Sequence, residues 1–232
     1  MVAGYGPLTI LQGFSARIER GRLTTLIGAN GAGKSTVFKT LFGLAELRAG
    51  AILLDGEAVT GRPVRDLLAR GLAYVPQGRN LFPTLSVAEN LELGGVTLPA
   101  GVRRARLESV YERFPALAAR RGRQASTLSG GEQKMLEIGR ALLLQPTMLL
   151  VDEPSIGLAP RLAQEVLATL RGLVDGGATV LMVEQNVRSG LAVSDRALAL
   201  EGGRVALEAP AAEILAHPRL RSVFLGGHVT DR

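Results

Sequence analysis

The 232-residue chain has no cysteine and no tryptophan. Without thiols there is no disulfide framework and no thiolate metal site, which suits the cytoplasm. Aromatic residues make up only 4% of the sequence, too few for the stacking platform that a single-strand nucleic-acid binder needs, so no nucleic-acid partner is expected. No apolar run approaches the ~18 residues of a membrane span. No basic residue precedes Arg17, so no secretory leader is readable and the chain is not expected to cross a bilayer itself. Only two histidines are present, His217 and His228.

Hydrophobic residues at 47% and charged residues at 21% are ordinary for a globular protein, and the length supports a sizeable core in one domain with a subdomain. The net charge is +6, and the stretch Arg103–Arg123 carries seven arginines against Glu108 and Glu112, five of those six charges. Such a run is a solvated helix face, or a face apposed to anionic lipid headgroups or an acidic partner.

The chain is organised around Leu23-Thr24-Thr25-Leu26-Ile27-Gly28-Ala29-Asn30-Gly31-Ala32-Gly33-Lys34-Ser35-Thr36. A β-branched apolar run enters a glycine-rich turn that ends in Lys-Ser-Thr at the start of a helical pattern, matching G-x-x-x-x-G-K-[ST]. Gly28, Gly31 and Gly33 are expected to take positive φ and admit a ligand that a Cβ would exclude. Their N–H groups and the helix N-terminus then cradle a polyphosphate; Lys34 reaches the β/γ-phosphates and the Ser35 hydroxyl is placed for Mg²⁺. The alternative is a strand–helix turn that binds nothing, which the full pattern disfavours.

Around this loop, Thr9–Leu11 and Phe14–Ile18 read as strands. Val37, Leu41 and Leu44 line a helix, Ala51–Leu54 is a strand and Asp55-Gly56 a hairpin turn. Leu72–Val75 is a further strand, ending in Pro76-Gln77-Gly78. From about Leu81 to Leu144 the pattern is helical: Ser86 caps Val87–Leu93, Arg103–Phe114 is a basic helix closed by Pro115, and Ser129 starts a helix with Met135, Ile138 and Leu142 on one face. Met148–Val151 is a wholly apolar strand, as a central parallel strand should be. A helix opening near Pro160 carries Leu162, Val166, Leu170 and Leu173 and stops at Gly176-Gly177. Ala178–Val183 is another buried strand, Arg196–Leu200 and Arg204–Leu207 form a hairpin, and short helices close the chain. Strands alternating with helices give an α/β layer fold with a largely parallel sheet, whose ligands bind beyond the carboxyl ends of the strands.

Two further motifs carry chemistry. Met148-Leu149-Leu150-Val151-Asp152-Glu153 ends a strand in adjacent carboxylates that the pleat points in opposite directions. Asp152 is suited to hold Mg²⁺ and Glu153 to polarise an attacking water. Leu128-Ser129-Gly130-Gly131-Glu132-Gln133 opens a helix and reads as a second anion site. One fold rarely needs two γ-phosphate sites, so this one is read as half of a sandwich lent to another subunit's nucleotide.

These motifs, with Pro154-Ser155-Ile156-Gly157-Leu158, resemble the ATP-binding subunit of an ABC transporter over essentially the whole chain. The finer wording, Gly28–Thr36, Pro76-Gln77-Gly78-Arg79, Ser129-Gly130-Gly131-Glu132-Gln133-Lys134-Met135-Leu136, Asp152–Pro160 and Val183-Glu184-Gln185-Asn186, resembles the LivF-type ATPase of branched-chain amino acid uptake. Urea-uptake ATPases are the nearest competitor, from which Glu132 and Leu158-Ala159-Pro160 lean away. The resemblance implies a P-loop NTPase of the ABC ATPase type, with a mostly parallel core sheet, an N-terminal antiparallel β-subdomain and an inserted helical subdomain. It forms one domain over 1–232, with the core at about 1–80 and 145–232 and the helical subdomain at about 81–144.

It further implies that ATP and Mg²⁺ are bound, with Tyr5 stacking on adenine and Asn30, Gly31, Ala32, Gly33, Lys34, Ser35 and Thr36 around the phosphates. Ser35, Gln77 and Asp152 would serve the metal, while Glu153, Gln77 and Gln185 would serve hydrolysis. Ser129, Gly130, Gly131 and Glu132 would close over a partner's nucleotide, and Ser155–Leu158 would lie along the dimer seam. The implied partners are a sister ABC ATPase or a second copy, two membrane-spanning permeases and, indirectly, a solute-binding protein, at the cytoplasmic face of the cell membrane. Two departures stand out. Gln185 occupies the place where most relatives carry a γ-phosphate histidine, which favours a slower site paired with a His-bearing partner. Met1-Val2-Ala3 is expected to be too short for the edge strand that precedes the tyrosine, so that the true start lies upstream or the sheet is a strand short. The rival reading is a regulatory ATP-binding module of low turnover; a DNA- or ribosome-directed ABC protein is disfavoured because 232 residues hold neither a coiled-coil insertion nor a second ATPase domain.

Overall fold

A computed structural model describes residues 1–78 and 80–216; Arg79, His217, His228 and any closing helix beyond 216 lie outside the described residues. In chain order the elements are β1 (Val2–Tyr5), β2 (Leu8–Gln12), β3 (Leu23–Gly28), α1 (Lys34–Leu41), β4 (Glu46–Ala49), β5 (Leu53–Leu54), β6 (Glu57–Ala58), α2 (Val64–Ala69), β7 (Leu72–Val75), α3 (Val87–Gly94), α4 (Ala100–Arg113), α5 (Pro115–Ala118), α6 (Gly130–Leu142), β8 (Met148–Asp152), α7 (Pro160–Asp175), β9 (Thr179–Val183), α8 (Val187–Val193), β10 (Arg196–Glu201), β11 (Arg204–Pro210) and α9 (Ala211–Ala216).

Six strands form the main sheet in the order β11-β10-β3-β9-β8-β7. All its pairings are parallel except β10 with β11. The apolar runs of β8 and β9 follow from burial on both faces: Leu149, Leu150 and Val151 are at most 1% exposed, and all five residues of β9 are buried. The register sets Leu26 beside Val183, Val183 beside Asp152, and Val151 beside Val75. The carboxyl ends of β3, β9, β8 and β7 therefore reach one edge together, and the loops that follow them meet there.

One sheet face packs through Ala73, Val75, Leu149, Val151 and Met182 against Leu91 of α3, Val110 of α4, Leu136 and Ile138 of α6 and the Val166–Leu170–Leu173 stripe of α7. The other face packs through Leu26, Leu150 and Leu181 against Val37 and Phe38 of α1 and against Ala3 and Leu11 of β1 and β2. Ser86 caps α3 in a capping box with Glu89, and Pro160 opens α7 at its first turn. The turn between β5 and β6 has Asp55 and Gly56 both at positive φ (54° and 84°), as a two-residue hairpin requires. No helix among the described residues is long and apolar enough to cross a membrane.

Several local expectations are corrected. Val2–Tyr5 does form a strand, the central one of an antiparallel three-stranded sheet ordered β2-β1-β4, because Ala3 is fully buried in the core and gives the segment an anchor. Phe14–Ile18 joins no ladder; Phe14 is buried, but the backbone around it pairs with no strand. Helix α1 ends at Leu41, Gly43 takes φ 68°, and Leu44 is left 60% exposed, off the helix's apolar face. The basic helix begins at Ala100, and Pro115 both closes it and opens α5. The arginine-rich stretch is partly neutralised, Arg120 pairing with Glu132 at 3.2 Å and Arg121 with Glu108 at 3.1 Å, while Arg106 is tied down by donating to the Leu143 carbonyl at 2.9 Å. Its two aromatics, Tyr111 and Phe114, are buried, and Arg121 lies 3.8 Å over the Tyr111 ring.

Asp195, just before β10, ties three elements together. Its Oδ2 accepts from the Leu23 backbone N–H at 2.7 Å and from Arg171 Nη1 at 2.9 Å, with Arg22 at 3.5 Å from Oδ1. Burial alone would raise its pKa, but Arg171 and the Leu23 N–H outweigh it and hold the carboxyl below the usual aspartate range. A depressed native pKa contributes stability above the unfolded-state value that is lost as pH falls through the native one. Asp195→Asn should therefore cost about 1–2 kcal/mol at neutral pH for a partly exposed, charge-assisted pair. In denaturant titrations its gap from wild type should shrink once pH drops below about 4; a gap independent of pH would contradict this account.

Candidate active site

The loop after β3 is shaped by clearance as much as by φ. Gly31 and Gly33 adopt positive φ, 82° and 100°, but Gly28 does not. A Cβ on Gly28 would sit 2.6 Å from the Leu200 carbonyl oxygen of β10, so close backbone approach, not left-handed φ, demands glycine there. Lys34 is the first residue of α1 and is buried; its Nζ donates to the carbonyls of Gly28 at 2.9 Å and Ala29 at 3.1 Å, within the loop's concavity. Burial pulls its pKa down from the ordinary lysine value, and the carboxylates of Glu153 and Asp152 oppose that pull.

Asp152 ends β8 directly beneath this loop. Ser35 Oγ donates to its Oδ1 at 3.0 Å, and the Tyr74 hydroxyl donates to its Oδ2 at 3.3 Å. Tyr74 is fixed by stacking on Phe42, centroids 5.2 Å apart, and by an edge contact with Phe38 at 5.8 Å. Burial raises the Asp152 pKa, with the Ser35 and Tyr74 hydrogen bonds working against it. The phenol of Tyr74 is itself pushed upward by burial and by Asp152.

Glu153 leaves the strand in the left-handed region, φ 47°. Its direction is set by that dihedral and not by the pleat, and its N–H is anchored on the Val183 carbonyl at 2.9 Å. A non-glycine residue there costs of order 1–3 kcal/mol, which persists only where the surroundings over-determine it. Gln77 Nε2 donates to Glu153 Oε2 at 2.8 Å. Burial and then the Asp152 charge raise the Glu153 pKa, with Lys34 opposing.

Tyr5, Ile10, Asn30, Gly31, Gly33, Lys34, Ser35, Thr36 and Glu153 line one open cleft of about 210 Å³. Tyr5 stands at this cleft, 40% exposed. Ala32 is buried behind the loop, its Cβ 3.2 Å from where a Cβ of Gly28 would lie. Among the described residues no group of three His, Cys, Asp or Glu side chains is arranged to hold a metal alone. The Ser35 hydroxyl and the Asp152 carboxylate offer two hard oxygens, which suits Mg²⁺ when substrate phosphates complete its shell.

The Ser129 turn is separate from this cleft. Ser129 Oγ caps α6, accepting from the Glu132 N–H at 3.3 Å and donating to Glu132 Oε2 at 2.9 Å, while the Ser129 N–H donates to the same oxygen at 2.9 Å. Its hydroxyl is thus engaged in a capping box. Gly130 and Gly131 leave room for α7 and the turn before it: a Cβ on Gly130 would meet Leu158 Cδ2 at 2.9 Å and one on Gly131 would meet Leu162 Cδ2 at 3.1 Å. Gln185 is exposed on the loop after β9 and does not line the cleft.

Sequence reasoning missed three residues here. Ile10 packs into the cleft wall from β2, Tyr74 orients Asp152, and Glu184 buries a carboxylate. Glu184 accepts from Ser155 N–H at 3.0 Å, Ser155 Oγ at 2.9 Å, Gln185 N–H at 3.1 Å and Asn186 N–H at 3.3 Å. A charged residue directly after four apolar ones was the available signal for Glu184; the other two read as ordinary strand residues.

Known proteins are similar to this chain along most of its length. The ABC transporter family profile matches residues 11–156. The high-affinity branched-chain amino acid transport ATP-binding protein BraG of Pseudomonas aeruginosa is 42% identical over 223 residues, 96% of each chain. The probable branched-chain amino acid transport ATP-binding protein LivF of Archaeoglobus fulgidus is 38% identical, over 97% of this chain and 95% of its own. Among solved structures, the ADP conformation of an ATP-binding cassette of an ABC transporter superposes with a TM-score of 0.88 at 26% identity, covering 97% of this chain and 96% of that one. A polyphosphate loop, a strand-end acid pair and a capped Ser-Gly-Gly turn, on a fold matched along nearly its full length, make this chain a member of the ABC transporter family.

Proposed function

We propose that the chain is the Mg²⁺-dependent ATPase subunit of an ABC importer for branched-chain or related hydrophobic amino acids. The observation that carries this reading is Glu153, strained, desolvated and held by Gln77, at the same cleft as Lys34 and Ser35. The names of BraG and LivF supply the solute class. The chain works as one ABC domain, with about 81–144 as the helical subdomain. It sits peripherally at the cytoplasmic face of the cell membrane and pairs with a sister ATPase or a second copy on two permeases that receive solute from a binding protein.

Each step is assigned to residues of the chain. Tyr5 offers a ring face for adenine at the cleft. The N–H groups of residues 30–36, the positive end of α1 and Lys34 hold the phosphates. Ser35, Asp152 and Gln77 would hold Mg²⁺, which would supply neutralising charge to the nucleotide phosphates. Glu153 takes the proton of the attacking water as general base, a role served by its upward-shifted pKa. Gln77 orients the Glu153 carboxylate through Nε2, leaving its amide oxygen, with two lone pairs, for the cation and the attacking water. Ser129, Gly130, Gly131 and Glu132 close on the γ-phosphate held by the partner, which requires Ser129 Oγ to exchange its donor bond to Glu132 for one to phosphate. Gln185 donates toward the γ-phosphate but carries no proton at neutral pH. That last point favours a second reading, a low-turnover ATP-binding partner, and the measured ATPase rate separates the two.

Lys34→Ala should weaken ATP binding by about 10–100-fold, as expected for losing charge-assisted hydrogen bonds, in a fluorescent-nucleotide titration; unchanged affinity would refute the phosphate role. Glu153→Gln should bind ATP within about threefold of wild type yet lose at least about 100-fold in kcat and accumulate as an ATP-bound dimer by light scattering. An unchanged kcat would sink the general-base assignment. Because Glu153 must be deprotonated to act, kcat/KM should rise with pH through a value above the usual glutamate range, about 4.3. An acidic limb at or below that value would contradict the raised pKa.

A further inference from the structure

The loop that carries Gln77 is gripped by one face of α6. Lys134 and Glu137, one turn apart on that helix, are 7% and 4% exposed and form an ion pair of 2.5 Å. The second Glu137 oxygen accepts from the Asn80 backbone N–H at 2.7 Å, and Lys134 Nζ also donates to the Gly78 carbonyl at 3.3 Å. One turn further on, Arg140 Nη2 donates to the Asn80 carbonyl at 2.6 Å. Asn80 in turn spreads its side-chain amide over the carbonyls of Pro76, Gln77 and Gly78 at 3.2, 3.3 and 3.4 Å. Three charged side chains of one helix thus hold the backbone at Gly78 and Asn80.

A buried ion pair is a poor source of stability. Its desolvation cost rivals the attraction, and an apolar pair of similar volume commonly serves as well or better. What it supplies is direction, because Glu137 accepts from one particular N–H and Lys134 completes the charge. We infer that Lys134 and Glu137, aided by Arg140, are positioning residues that hold the Gln77 amide on Glu153. Helix α6 begins at the Ser129 turn. The same rigid helix therefore joins the turn this chain lends to a partner with the loop that orients its own general base. The inference rests on the ATPase reading above and adds the residues that hold the amide orienting its general base.

Two double variants, each without the buried charges, test it in the full chain, assayed alone and mixed with its companion ATPase. Lys134→Met/Glu137→Leu removes the acceptor for the Asn80 N–H; Lys134→Met/Glu137→Gln keeps one. Both should melt within a few degrees of wild type and bind ATP within about threefold. The Leu double should lose at least about tenfold in kcat at unchanged KM and show faster deuterium exchange at Gly78 and Asn80. The Gln double should stay within about threefold of wild type. Equal kcat in the two doubles would overturn the inference, as would a loss that tracks melting temperature or ATP affinity. If the Leu double does not fold, Arg140→Met, which deletes only the bond to the Asn80 carbonyl, is held to the same kcat-against-KM criterion. Wild type that hydrolyses no ATP in either assay would bring down the ATPase reading and this inference with it. Hydrolysis by wild type with an undiminished Leu double would overturn the inference alone.

Discussion

The parallel register of four strands is the constraint on which the rest depends. With Leu26 beside Val183, Val183 beside Asp152 and Val151 beside Val75, the chain leaves β3, β9, β8 and β7 at one edge. The Lys34 loop, an acid pair, the Gln77 loop and the Glu184–Gln185 loop are thereby brought together from four separate stretches between Gly28 and Gln185. A one-residue slip would turn Asp152 away from Ser35 and leave its carboxylate buried without a donor, so the site and the core enforce the same pairing.

Charge is then handled at that edge at some energetic cost. Lys34, Asp152, Glu153 and Glu184 are all buried, and each has its pKa moved toward the neutral form by desolvation. Hydrogen bonds from Ser35, Tyr74, Ser155 and two backbone N–H groups offset part of this for the acids. Glu153 has the fewest compensating partners and the strained dihedral, and it is the residue proposed as general base. Glu184, with four donors, is held still.

Much of this was readable in the sequence because the responsible signals are local. Glycine spacing before Lys34-Ser35, four apolar residues before Asp152-Glu153, and Ser86 and Ser129 each three residues ahead of a glutamate marked the strand ends and helix starts. Other features depend on contacts between distant segments. Val2–Tyr5 becomes a strand because Leu8–Gln12 and Glu46–Ala49 flank it. Gly28 needs to be glycine because Leu200 lies against it. Lys134 and Glu137 look like the solvated face of an amphipathic helix until the Gln77 loop is laid across them. Tyr74 and Ile10 gave no sign at all, since a strand residue facing a core and one facing a site are written alike.

The central claim is that phosphate and cation share one place, under the loop at Lys34 and above the Asp152 carboxylate. Electron paramagnetic resonance of Mn²⁺, titrated into the chain with and without ATP, tests it most directly. Tight Mn²⁺ binding should appear only when ATP is present and should weaken at least about tenfold in Asp152→Asn, the loss expected when a hard anionic oxygen leaves a divalent-cation site. Tight Mn²⁺ binding without nucleotide, or Mn²⁺ held equally by the Asp152→Asn protein with ATP, would contradict the account.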